Sequence, residues 1–151
     1  MDWQTIILII LIIGLLAWSV TRRRRPINDD LGIAVVLITD IDQNLKIVES
    51  TRNNYQSAKM FKNGAWKRYQ SKLAFLGPSA ISLLAETFTL IDDLNARIQS
   101  AKKSKTFTTL QDIPLDKASE LLNKSRVELV TWLRSSDAAK AQNTRRGCMG
   151  S

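Results

Sequence analysis

The feature that most constrains this chain is a hydrophobic run near its N-terminus. From Ile6 to Leu16 every residue is apolar except Gly14, and the wider stretch 3–20 adds only Gln4, Thr5 and Ser19 as polar interruptions. As a helix this stretch would span roughly 27 Å, close to the ~30 Å hydrocarbon core of a bilayer. Trp3 and Trp18 fall near its two ends, where amphipathic rings favour the headgroup level. Arg22, Arg23, Arg24 and Arg25 follow at once, with side chains long enough to snorkel to phosphates.

The charge order sets a direction. A secretory signal peptide carries its positive charge before the apolar run, whereas here only Asp2 precedes it and the arginines come after. A buried helix of a soluble protein seldom joins such a run to four arginines. The positive-inside rule keeps the arginine block cytoplasmic. The expectation is a single-pass protein of the cell membrane, anchored by residues 1–25, with its N-terminus outside and the rest in the cytoplasm.

Beyond the anchor, residues 26–151 hold eighteen cations against thirteen acids, within a total of 22 against 14 and a net charge of +8. The bias suits anionic lipid or an acidic protein better than it marks a nucleic-acid binder. Histidine is absent, which removes the commonest general base and metal ligand. Cys148 is the sole cysteine, so no intramolecular disulfide can form, in keeping with a reducing compartment.

Helical periodicity organises the rest of the chain. Arg25-Pro26-Ile27-Asn28 breaks the anchor helix, and Asn28, Asp29 or Asp30 can cap the next. Leu31, Ala34, Ile38, Ile41, Leu45, Val48, Arg52 and Tyr55 recur at steps of three and four, predicting a helix over 29–60. The apolar run 31–38 alone would also suit a buried strand, but the period continues past it. Lys62-Asn63-Gly64 is a break, 65–75 a short amphipathic piece, and Gly77-Pro78-Ser79 a stop with a fresh start.

A second helix is predicted over 79–104, with Ile81, Leu84, Phe88, Ile91, Asn95 and Ile98 on its stripe, and a third over 114–134, with Leu115, Ala118, Leu122, Ser125, Leu129 and Trp132. The alanine-rich, polar stretch 135–151 reads as a disordered tail. Three stripes of similar width bury one another best as an antiparallel three-helix bundle over 26–134. The chain is therefore expected to be mainly α, with Leu45, Leu84, Phe88, Ile91, Leu122 and Leu129 in its core.

Little in the sequence speaks for catalysis. Asp40-Ile41-Asp42-Gln43-Asn44 opens like a calcium loop, but Leu45 stands where the glycine is needed and Thr51 where the bidentate glutamate belongs. Asp92 and Asp93 are adjacent and diverge by about 100° on a helix. The ending Cys148-Met149-Gly150-Ser151 is a poor prenylation box, since Met149 and Gly150 are not both aliphatic. No catalytic residue, cofactor site or metal site is expected.

The densest charge feature is 59–72, where Lys59, Lys62, Lys67, Arg68 and Lys72 alternate with Met60, Phe61, Trp66 and Tyr69. It is either a solvated basic face whose aromatics cover the bundle or a partner-binding surface comprising Lys59, Lys62, Trp66, Lys67, Arg68, Tyr69 and Lys72. If the first helix stands upright on the membrane and the second returns the chain, 59–72 is distal, and Lys102, Lys103 and Lys105 join Trp3, Trp18 and the arginines at the membrane interface. The function expected is that of a membrane-tethered, non-enzymatic interaction module with an unknown cytoplasmic partner or with itself. The alternative is a protein whose basic surface binds anionic lipid directly.

Overall fold

A computed structural model describes the backbone of residues 29–147 and the side chains as far as Asp137. The expected anchor, with Trp3, Trp18 and the four arginines, lies outside the described residues. Among those described, no helix is long and apolar enough to cross a membrane. They form four α-helices and no strand: α1 (Asp30–Asn53), α2 (Gly64–Tyr69), α3 (Pro78–Ser104) and α4 (Leu115–Gly147). Short 3-10 turns at Tyr55–Ser57, Gln70–Lys72 and Phe107–Leu110 punctuate the connections.

Helix limits follow from local chemistry. Asp29 caps α1, its carboxylate accepting from the Gly32 N–H at 3.3 Å. At the other end the Asn54 side chain accepts from the Gln56 N–H at 3.0 Å, which offers the chain a turn in place of another helical bond. α1 therefore stops at Asn53, short of the limit expected at residue 60. Pro78 occupies the first turn of α3, where its missing N–H costs nothing. α3 ends where Lys105 turns left-handed at φ 55° and the Thr106 N–H reaches back to the Ala101 carbonyl. α4 runs on to Gly147, so the backbone expected to be a disordered tail is helical from Ser135 to that residue.

The directions of the helices differ from the expected alternation. Arg52 near the end of α1 pairs with Asp116 at the start of α4, and Asp42 pairs with Arg126 at 2.6 Å. These two helices are antiparallel. α3 is antiparallel to α4 as well, since Thr87 meets Ser125 at 2.8 Å while Phe75, just before α3, packs on Trp132 with ring centres 4.6 Å apart. Hence α1 and α3 run parallel, and the expectation that the second long helix carries the chain back towards its start is corrected. The connector 54–77 makes that return instead, leaving α3 to climb again.

The connector is a strap rather than a loop. Ala58, Phe61, Ala65, Tyr69, Leu73 and Leu76 are buried along it at steps of three and four, although only part of it is helical. Where it is extended its backbone needs partners, and a buried backbone group left without one is costly. Asn44 of α1 donates to the Lys62 carbonyl at 2.8 Å and accepts from the Lys62 N–H at 2.6 Å. Asn95 of α3 holds the neighbouring residue in the same way, accepting from the Phe61 N–H at 2.7 Å and donating to its carbonyl at 3.1 Å. Two amides on parallel helices thus grip adjacent residues of the strap.

The core confirms five of the six expected residues: Leu84, Phe88, Ile91, Leu122 and Leu129 are buried. Leu45 is corrected to half-buried, because the inward face of α1 runs through Ile33, Leu37, Asn44 and Thr51 together with the expected Ala34, Ile41 and Val48. The stripe is rotated towards the strap, whose polar backbone Asn44 serves.

Candidate functional site

Each cation of the strap sits on an element already fixed by packing. Lys59, Lys62, Lys67, Arg68 and Lys72 are exposed, and their alternation with aromatics arises because the aromatics point inward. Trp66 is half-buried and stacks on Phe88, with centroids 5.2 Å apart and planes 4° from parallel. Tyr69 is buried, and the Arg68 guanidinium lies 6.0 Å from its ring centre. Trp66 and Tyr69 are therefore committed to the core, which leaves the basic side chains as the accessible part of this cluster.

The strap descends from the C-terminal end of α1 towards its start, so its cations are spread along the bundle's side. Lys62 lies level with Asn44, and Lys67 reaches Asp92 at 3.3 Å. Lys72 lies near Phe75 in sequence, towards the end of the bundle where Asp30 begins. The expectation of a wholly distal 59–72 cluster gives way to a graded one. Asp92 also accepts from the Asn63 side chain, and Asp40 accepts from the Ala65 N–H at 3.1 Å. Asp40 and Asp92 thus fasten the strap and Asp42 the α1–α4 seam, whereas Asp93 is exposed.

Lys102, Lys103 and Lys105 belong to the distal end. Asn53, Asn54, Tyr55 and Gln56 line an open cleft of about 430 Å³ together with Lys105, Phe107, Thr108 and Gln111, which brings the ends of α1 and α3 to one place. By the length of α1 this end is about 36 Å from Asp30. The three lysines are exposed, and among the described residues none of them takes part in an ion pair. The geometric premise that would bring them to the membrane beside the arginines is not met. The cleft residues gave no sequence signal beyond a polar loop, because the three segments that form it meet only once α3 runs parallel to α1.

On the outer face of α4, Glu120 and Lys124 are joined at 2.6 Å. The hydrogen bond from Lys124, with its charge, holds the Glu120 carboxyl below its usual range, and the same bond holds the lysine above its own. The stability this pair adds is lost as pH falls through the depressed glutamate value or rises through the raised lysine value. Both groups are exposed to solvent, so the pair is worth little. Among the described residues no group of three or more metal-ligating side chains converges. Comparison with protein-family models, with curated proteins and with solved structures finds no match to this chain.

Proposed function

We propose that the chain is a membrane-tethered, non-enzymatic helical interaction module, anchored through the run 3–20, that offers its distal end to an acidic cytoplasmic protein or to another copy of itself. The observation that supports this most is the exposed set Lys102, Lys103 and Lys105 at the end of α3, with Lys105 lining an open cleft, about 36 Å along the bundle from Asp30. That distance is several times the ~8 Å Debye length in cells, so these charges would be of little use to a membrane next to Asp30. An acidic partner arriving from the cytoplasm would meet them first. Tethering raises local concentration, so that a modest patch suffices for capture.

The test is charge reversal in the full chain. With Lys102→Glu, Lys103→Glu and Lys105→Glu combined, a photo-crosslinker at Gln111 should lose its adducts while flotation of the chain with anionic vesicles stays unchanged. Adducts that persist would contradict the reading. Flotation that fails with the same triple change would instead favour direct lipid binding through the basic surface.

A further inference from the structure

The end of the bundle nearest the proposed anchor differs from the rest. None of the residues in 31–39, 73–85 and 129–133 is charged, in a chain that is 24% charged. The register gathers these segments into one slice. With Asp42 opposite Arg126 on antiparallel helices, Ile38 comes level with Val130 one turn on. Phe75 against Trp132 brings the strap and the start of α3 to the same level.

The slice is a collar with apolar surface on its outside. Val35 is 51% exposed, and Leu31, Ile38, Ile81 and Val130 are only half-buried. Between them lie exposed hydroxyls such as Thr39, Ser82 and Thr131, and the exposed charges at this level are Arg134 and Asp137 on α4 and Lys72 on the strap. In the distal half the same helices carry ordinary charged faces, so the collar is confined to one end.

From these observations we infer that the domain does not hang free below its anchor but leans this collar into the interfacial layer of the bilayer. The inference rests on the anchor proposed above. Leu31 follows Arg25 by six residues, a reach of at most about 20 Å, so the collar cannot leave the neighbourhood of the headgroups. Cations edge it: Arg134 on α4 and Lys72 on the strap are exposed at its level, and the four arginines precede α1 in sequence. An apolar surface edged by cations is the chemistry that settles at an anionic membrane surface. Of the acids at the collar's edge, Asp29 and Asp30 sit at the positive end of α1, with Asp29 engaged as its cap, and Asp137 lies on α4 level with Leu31.

The experiment uses the full chain with Cys148→Ser, reconstituted in phosphatidylcholine vesicles containing phosphatidylserine. Nitroxide labels are placed at Val35→Cys and, as the distal reference, at Ser100→Cys. Collision with a water-soluble nickel chelate should be several-fold weaker at 35 than at 100, and collision with oxygen stronger. Equal access of the chelate to both sites would overturn the inference. So would spin–spin broadening at 35 that vanishes on dilution with unlabelled chain, since a second copy would then cover the collar.

Adding Val35→Lys to a chain labelled at Thr131→Cys should return that label to water, and a label unmoved by the lysine would also contradict the inference. A chain that fails to float with the vesicles would overturn both the anchor and the collar. One that floats with position 35 in water overturns the collar alone.

Discussion

At the scale of single residues, the fold turns on two buried amides. Asn95 is 8% exposed and Asn44 fully buried, yet each satisfies both backbone groups of one strap residue. Asn95→Ala would leave the Phe61 N–H and carbonyl without partners, at about 1–3 kcal/mol for each orphaned group. Urea unfolding should register that loss, and a midpoint unchanged from the parent would contradict the role. Thr51 presents the opposite case, since its hydroxyl is buried and has no hydrogen-bond partner among the described residues. Thr51→Val keeps the shape and removes that hydroxyl, so the same measurement should show stability held or raised, by up to about 1 kcal/mol. A large loss would mean that the hydroxyl is used. Asn95 is visible in the sequence as a polar residue on an apolar stripe. Asn44 is not, because the near-continuous apolar start of α1 gives the helix no clear phase, and the stripe through Leu45 fits as well as the one observed.

At the scale of elements, α3 and α4 are legible because their stripes are bounded by proline, glycine and polar loops that act locally. The periodicity makes α1 too long because Tyr55 continues the three-four spacing, while the side-chain turn at Asn54 overrides it. The strap is legible only as a break and a short amphipathic piece. What joins it to the helices is tertiary: Phe88, fully buried, receives Trp66 across a 5.2 Å stack. Phe88→Ala should therefore cost about 3–5 kcal/mol, a large share of a small domain's stability. The strap should loosen with it, and hydrogen exchange at Phe61 and Ala65 should quicken along with the drop in unfolding midpoint. A melting curve like the parent's would refute the packing described.

At the scale of the whole molecule, helix direction is not written in the sequence, because a connector as long as 54–77 can either turn the chain once or carry it back. The structure takes the second course. Its consequence is a polar molecule in the axial sense, with an apolar-rich collar at the Asp30 end and Lys102, Lys103 and Lys105 at the other, where Lys105 lines a cleft. Nitroxide pairs in the full chain check the direction: labels at Ser50 and Lys102 should be closer than labels at Ser50 and Ser79, since α3 is about 40 Å long. The reverse order would restore a simple up-down-up bundle and move the lysines to the membrane. The central claim, that a membrane tether holds this domain in the cytoplasm, is tested most directly by thiol labelling of intact cells with an impermeant maleimide in a Cys148→Ser background. Asp2→Cys should react from outside and Lys105→Cys only after the membrane is opened, whereas reaction at Lys105→Cys in intact cells would contradict the claim.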